Sequence, residues 1–323
     1  MKLPIAALRA VTLLLGSFCA AEDGPSSSLD GKTADEQLLF STTRIESKST
    51  DGKNPPVFST GFFVRAKTAK DRGVTFLVTC RHALAGFDEA NFSFSEEKDG
   101  KPQLGQIQNV TVKNLPKNVY FDSDPAIDVA VIPMSTVLEG LKTEGKRLFH
   151  KVLLRSYVPD AAAASGLSCF QQVLFIGYPN GLRDEKNSLP IARNGFTATP
   201  YVVDYNGLPM FLIDATVFPG SSGSPVLVFN QGTYLKNKRN EQPSIGAGTR
   251  IYFLGMISQA YFKDTEGEVE FKRMPTAVLP TYKQRAALNL GGVIKAKTIF
   301  GTIDQFLKAN GFPTGDELLE DKP

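Results

Sequence analysis

The sequence predicts an all-β chain. Short runs of Val, Ile, Leu, Phe and Thr recur along it, as in Phe76-Leu77-Val78-Thr79 and Val226-Leu227-Val228-Phe229. The 28 glycines and 20 prolines break these runs into strand-length pieces, which is the pattern of strands bounded by turns. No repeat at a solenoid period accompanies them. With 42% hydrophobic and 21% charged residues the composition is that of a globular protein, and 323 residues allow two lobes of ordinary domain size.

The chain opens with Lys2 and Arg9, an apolar stretch from Val11 to Phe18, and the small residues of Cys19-Ala20-Ala21. A basic start, a short apolar core and small residues read as an export signal over residues 1–21, cleaved after Ala21, in a secreted or periplasmic protein. A lipoprotein signal with Cys19 as the lipidated residue is the competing reading; Phe18 is bulky for it. Residues 22–36 are rich in Ser, Gly, Asp and Lys and read as a disordered linker. Leu38 to Ser47 reads as a first strand of a first lobe over 37–135, with a polar excursion at Glu96 to Lys101. Thr136 to Tyr157 is a linking region with some helical character. A second lobe covers 165–295 and carries two polar insertions, Asn230 to Thr249 and Tyr261 to Arg285. Loops that long are functional or disordered. Asn289 to Ile294 reads as a last strand. Ile299, Ile303, Phe306 and Leu307 then form one face of a helix over 296–309, which Gly311 and Pro313 end. A tail covers 314–323.

Charge and cysteines exclude several functions. Losing residues 1–21 removes two basic residues and no acid, so the formal charge of +3 falls by two. The small basic cluster of Lys236, Lys238 and Arg239 is a solvated loop, so no nucleic-acid partner is expected. No other stretch reaches membrane-spanning length, so no membrane association is expected after signal removal. Beyond Cys19 the cysteines are Cys80 and Cys169; a disulfide between them is the alternative in an exported protein, and two buried free thiols are expected. With only two histidines in the chain, no metal-binding spacing appears and no cofactor is expected.

The segment Pro219-Gly220-Ser221-Ser222-Gly223-Ser224-Pro225 sets one serine between glycines ahead of an apolar run. A serine hydroxyl becomes a useful nucleophile with a base beside it and N–H donors aimed at the oxygen that gains charge. Gly220 keeps side chains away from such an approach, and the amides of Gly220 and Ser222 are the candidate donors. The plain alternative is a Gly/Ser turn between strands. Two candidate bases exist. His82 follows the strand-like Phe76-Leu77-Val78-Thr79, whereas His150 lies in Arg147-Leu148-Phe149 without small neighbours and reads as structural. Asp128 opens the apolar run Val129-Ala130-Val131-Ile132, which draws its carboxylate inward, where it needs a partner such as an imidazole N–H. Asp122 and Asp124 read as surface residues. The order His82, Asp128, Ser222 differs from the Ser-acid-His order of α/β-hydrolases and the Asp-His-Ser order of subtilisins, and is the chymotrypsin order.

The chain resembles the trypsin-like serine proteases, within them the HtrA-like bacterial branch, over roughly Leu38 to Leu307. The motifs are Ser59-Thr60-Gly61-Phe62-Phe63-Val64, Val78-Thr79-Cys80-Arg81-His82-Ala83-Leu84, Asp128-Val129-Ala130-Val131-Ile132, Phe175-Ile176-Gly177-Tyr178-Pro179-Asn180-Gly181, Asp214-Ala215 with Gly220 to Pro225, and Gly255-Met256-Ile257-Ser258. The resemblance implies two six-stranded antiparallel barrels of the chymotrypsin type with a C-terminal helix. It implies a serine endopeptidase acting on polypeptides through His82, Asp128 and Ser222, with Ser258 holding Asp128 beside the primary pocket. By family placement that pocket involves Thr216, Val217, Ser258, Ala260 and Val293. Without an acid there, small or medium apolar side chains are expected. No peptide-binding module of the HtrA kind (a PDZ domain) is expected after the helix. Ser221 stands where digestive-type enzymes carry the Asp that pairs with a freshly cut N-terminus, so no activation of that kind is expected. Arg81, Cys80 and Ser224 depart from the family pattern. They keep open a catalytically silent binding scaffold, and the same triad would also serve an esterase.

Overall fold

The structure is a computed structural model that describes residues 29–50, 55–69, 72–236, 242, 244–268 and 281–314. The expected signal over 1–21, with Cys19, and the tail from 315 lie outside the described residues. It begins with a helical turn, α1 (Ala34–Leu39), capped by the Thr33 hydroxyl, which accepts from the Glu36 amide. The start of the expected first strand is therefore helical: Leu38 is buried in α1, and β1 is Thr42–Lys48.

The first lobe is a nine-stranded antiparallel-dominated sheet. After β1 come β2 (Val57–Ala69), β3 (Arg72–Thr79), β4 (Glu89–Lys98), β5 (Lys101–Lys113), β6 (Tyr120–Phe121) and β7 (Ala130–Pro133), in the spatial order β5-β4-β1-β2-β3-β7-β6. Two-residue strands β8 (Leu148–Phe149) and β9 (Leu153–Leu154) pair with β4 and β2. The polar excursion is the β4–β5 hairpin turn, where Asp99 and Gly100 take φ of 53° and 74°, the left-handed geometry such turns demand. This lobe is not a closed barrel, contrary to the expectation of two. Strands β5 and β6 are its edges, joined by the short helix α2 (Leu115–Asn118) without pairing, and β6 has only two residues to offer. The linker contributes α3 (Ser135–Thr143) and α4 (Ala161–Ser165), the latter capped by the Asp160 carboxylate.

The second lobe closes. Strands β10 (Gln172–Gly177), β11 (Ile191–Thr197), β12 (Met210–Asp214) and β13 (Pro225–Asn230) join the long β16 (Arg250–Glu268) and β17 (Thr281–Lys295) in the ring β10-β11-β12-β17-β16-β13. Where they are described, the expected insertions are largely paired backbone; residues 237–241, 243 and 269–280, with Lys238 and Arg239, lie outside the described residues. The first holds the hairpin of β14 (Thr233–Lys236) and β15 (Ser244–Ala247). In the second, β16 and β17 continue as a ribbon from Phe262↔Ala287 to Glu268↔Thr281.

Each lobe has an interior cluster, and a third core lies between the lobes. The first interior gathers Ile45, Phe63, Leu77 and Phe92; the second gathers Phe175, Phe211, Val226 and Val293. The shared core joins Phe62, Phe76 and Val131 of the first lobe to Leu227, Phe253 and Met256 of the second. Helix α5 (Ala296–Ala309) seals it with Ile299, Phe300, Ile303 and Leu307, all buried. Phe62 meets Phe253 edge-on at 5.3 Å, and Phe76 meets Phe306 at 5.3 Å. Burial of each such side chain contributes about 1.5–3 kcal/mol, so the apolar helix face fastens the two lobes. Asp122 is a correction to its surface reading: it is buried and accepts from the Thr302 hydroxyl of α5. Cys80 is buried and Cys169 is exposed, both free, which corrects the expectation of two buried thiols. Among the described residues no helix is long and apolar enough to cross a membrane.

Candidate active site

The register of β3 on β7 brings His82 to Asp128. Thr79 pairs with Ala130, so the residues just after the first strand face those just before the second. His82 sits in the one-turn 3-10 helix Arg81–Ala83 that follows β3. Its backbone N–H donates to Asp128 Oδ1 at 2.9 Å, and its ring Nδ1 lies 2.7 Å from Oδ2. A carboxylate at that distance makes Nδ1 the donor and leaves Nε2 as the lone-pair nitrogen. The Ser258 hydroxyl also donates to Oδ2, at 2.6 Å. Burial pushes the Asp128 carboxyl up, but His82's ring and amide and the Ser258 hydroxyl together outweigh it and bring it below its ordinary 3.8.

Arg81 does not distort this pair. Its guanidinium donates to the carbonyls of Asp122 and Asp124 and stacks over Phe121 at 5.0 Å, steadying the approach to Asp128. Cys80 donates its thiol to the Ile257 carbonyl at 3.3 Å. Burial, then the neighbouring Asp128 charge, push that thiol well above its ordinary 9.0. The potential ligand atoms of Cys80, His82 and Asp128 lie within 4.8 Å of one another, but all three groups are engaged in these hydrogen bonds. His150 stands apart, packed on Phe63 at 4.9 Å with Nδ1 on the Leu148 carbonyl.

The Ser222 turn is built from backbone. Gly220 and Gly223 take φ of 87° and 89°, which a side chain disfavours. A Cβ on Gly220 would meet the Tyr178 carbonyl at 2.5 Å, and one on Gly223 would overlap the Thr60 carbonyl. The Gly223 amide donates to the Ile257 carbonyl at 2.7 Å, and the Ile257 amide to the Ser224 carbonyl at 2.9 Å. Ile257 thus ties the serine turn to Cys80, and Ser258 beside it ties Asp128. Among the described residues neither the Gly220 nor the Ser222 amide has an acceptor. The Ser222 hydroxyl and His82 Nε2 are likewise without partners, including each other. Ser221 is buried and uncharged.

Thr60, in the sequence one residue of a strand motif, joins the lobes at the turn. Its amide donates to the Ser222 carbonyl at 2.9 Å, and its hydroxyl donates to the Gly220 carbonyl at 2.9 Å and accepts from the Tyr178 amide at 3.0 Å. Ser224, the departure from the family's second glycine, lies buried with Oγ 3.3 Å from the Thr60 hydroxyl. It fits because Gly177 opposite has no side chain; a Cβ there would collide with Ser224 Oγ. Among the pocket candidates, Val217, Val293 and Ala260 share one apolar cluster. Val293 has no exposed surface, so it backs the wall and cannot itself touch a ligand. The Thr216 hydroxyl donates to Asn289 Oδ1 at 2.9 Å. Tyr201, on the same cluster, has its hydroxyl pushed up to about 12 by burial.

A sequence profile of the trypsin-like peptidase domain matches residues 59–234. A comparison with curated proteins finds no match. Among solved structures, the active form of the Rv3671c protease from M. tuberculosis is similar at 17% identity, over 86% of this chain and 83% of that one, with a TM-score of 0.40.

Proposed function

The chain belongs to the trypsin-like peptidase family, and on that premise we propose that it is an exported serine-type endopeptidase. One observation carries the reading: an unpartnered serine hydroxyl flanked by two amides without acceptors, tied through Ile257 and Ser258 to an imidazole whose Nδ1 is taken by a carboxylate. Ser222 attacks the peptide carbonyl and forms an acyl-enzyme. His82 Nε2 accepts the hydroxyl proton and returns one to the departing amine. Asp128 holds the imidazole in the Nδ1–H tautomer and stabilises the imidazolium. The carbonyl oxygen, as it gains charge, receives the amides of Gly220 and Ser222; one such donor is worth about 3 kcal/mol of barrier. Water, activated by His82, then releases the acid. Ser222 and Nε2 come within proton-transfer reach on substrate binding, as catalytic contacts commonly tighten only in the complex.

The pocket beside Ser258 takes small or medium apolar side chains, because Val217 and Ala260 are its nearest candidates and neither carries charge. With Ser221 neutral, no newly formed N-terminal ammonium is required, and the mature chain is competent once exported. The experiment is to treat the purified chain without residues 1–21 with a fluorophosphonate probe and to map the adduct by mass spectrometry. Labelling at Ser222 that disappears in His82→Ala supports the reading. A folded chain that stays unlabelled from neutral to mildly alkaline pH would falsify it and leave a binding scaffold. Peptide libraries then test the pocket, and strong cleavage after Lys or Arg contradicts the apolar preference.

A further inference from the structure

Arg44 is a half-buried guanidinium that the charges of Glu46 and Glu185 reach without pairing with it. Among the described residues it makes no hydrogen bond and no ion pair, and its Nε is buried without an acceptor. It rests 4.4 Å over the ring of Phe58. Burial, and then the charge of nearby Arg183, hold it below its ordinary value. The two arginines line one cavity of about 260 Å³ with Glu46, Asn91, Ser93 and Asn109. Glu46 is engaged with Lys48 at 3.1 Å. Arg183 meets Glu185, itself three-quarters exposed, through Nε, and Ser188 through Nη1. A buried polar atom without a partner is costly, and two guanidinium groups around one polar hollow supply what an anion needs.

The hollow continues the surface of the Ser222 turn. Arg44 pairs with Thr60 across β1 and β2, and directly opposed residues share a face of the sheet. That face carries the Thr60 hydroxyl to the Gly220 carbonyl. The same row runs outward through Ser93 to Asn109. The turn after β10 fills the corner: Gly220 abuts the Tyr178 carbonyl and the Asn180 amide, and Gly181 abuts the ring of Phe58. On the other side of Ser222, β13 stops pairing at Pro225↔Met256 while β17 holds the far edge of β16. Among the described residues the near edge from Ser258 on is therefore open to a bound strand, which suits the acyl half of a substrate. The leaving half must then run the opposite way, over Phe58. Strands lie about 4.8 Å apart and an extended peptide advances about 3.3 Å per residue, so the hollow is roughly two to four residues past the cleaved bond.

We propose that Arg44 and Arg183 form a carboxylate-binding subsite for the leaving half of the peptide. This rests on the peptidase reading, and its chemistry is that of a carboxylate, either an acidic side chain or the free end of a short leaving peptide.

Matched quenched-fluorescence peptides identical through the cleaved bond separate the sources. One pair carries Glu or Gln at the second to fourth leaving positions with an amidated end; a third peptide lacks acids and ends in a free carboxylate three residues past the bond. At low salt kcat/KM is expected to favour a carboxylate by about threefold to tenfold and to lose the preference as ionic strength rises. Arg44→Gln and Arg183→Gln bring that ratio toward one, and Arg44→Glu brings it below one, in favour of the Gln peptide. Because the readout is a ratio within each variant, a lower active fraction cancels. Equal rates for all three peptides in the unaltered chain, with cleavage proceeding, overturn the subsite and leave the peptidase reading intact. A chain that neither cleaves nor labels overturns the peptidase reading. Fluorescence anisotropy with the labelled Glu peptide then decides the subsite: binding above the Gln peptide that is lost in Arg44→Gln supports it, and equal binding overturns it.

Discussion

The lobe that carries His82 and Asp128 is an open sheet, the lobe that carries Ser222 is a closed barrel, and each holds its groups by a different device. In the first, side chains are fixed by hydrogen bonds: the Asp128 carboxylate receives the His82 amide, the His82 ring and the Ser258 hydroxyl. In the second, the chain itself is fixed by the lack of side chains, with Gly220 and Gly223 in left-handed geometry against neighbouring carbonyls. A hydrogen-bonded group can be altered without disturbing the fold, whereas a turn set by steric exclusion cannot. Substitutions in the first lobe should therefore remove chemistry, and substitutions at the joint should remove stability as well.

Asp128→Asn should show the largest separation of chemistry from stability. The amide no longer enforces the Nδ1–H tautomer, and kcat is expected to fall about 10⁴-fold while the thermal midpoint falls only slightly, by the loss of the carboxylate's own contribution; steady-state kinetics with calorimetry reads both. Ile303→Ala strikes the joint. It removes a wholly buried side chain from the core shared by both lobes and should cost about 2–5 kcal/mol in a urea titration.

Much of this was legible in the sequence because side-chain chemistry has few spellings. Only two histidines occur, and the one that follows an apolar strand lies against the carboxylate that opens another. The Ser222 turn was visible because left-handed backbone calls for glycine. Helix α5 was visible because Ile299, Ile303 and Leu307 repeat at helical spacing. What stayed hidden depends on partners remote in the chain. Nothing near Thr60 announces that its hydroxyl will reach Gly220 and Tyr178, more than a hundred residues away. Asp122 resembles any acid before a strand, and only the docking of α5 buries it. Strand periodicity also cannot say whether two edge strands meet, which is why the open first sheet was expected closed.

Thr60→Val tests a residue whose hydrogen bonds join both lobes. Valine keeps the shape but strands the Gly220 carbonyl and the Tyr178 amide, at a cost of about 1–3 kcal/mol. Activity should fall alongside stability, and Thr60→Ser should restore both; a Val variant with full activity and stability would show that the lobes are joined elsewhere.

Acidity gives the smaller effects, and the groups that carry them near neutral pH and just above are in the first lobe. The Asp128 carboxyl lies below its ordinary 3.8 in the folded chain, so its contribution is complete above that value and lost as pH falls through the folded one. His150, held below 6.5 by burial, acts in the same direction in milder acid. The Cys80 thiol is raised above 9.0, so its contribution is complete below that value and drains away as pH rises. Urea midpoints at pH 8 and 10 should differ in the parent and differ less in Cys80→Ala.

The central claim is that an imidazole from one lobe and two amides from the other act on a single hydroxyl. A crystal structure of the fluorophosphonate adduct tests it most directly. Phosphorus is expected on Ser222 Oγ, with the phosphonyl oxygen within hydrogen-bonding distance of both the Gly220 and Ser222 amides, and His82 Nε2 turned to Oγ with Nδ1 still on Asp128. An adduct on another residue, or one whose phosphonyl oxygen faces away from both amides, would contradict it.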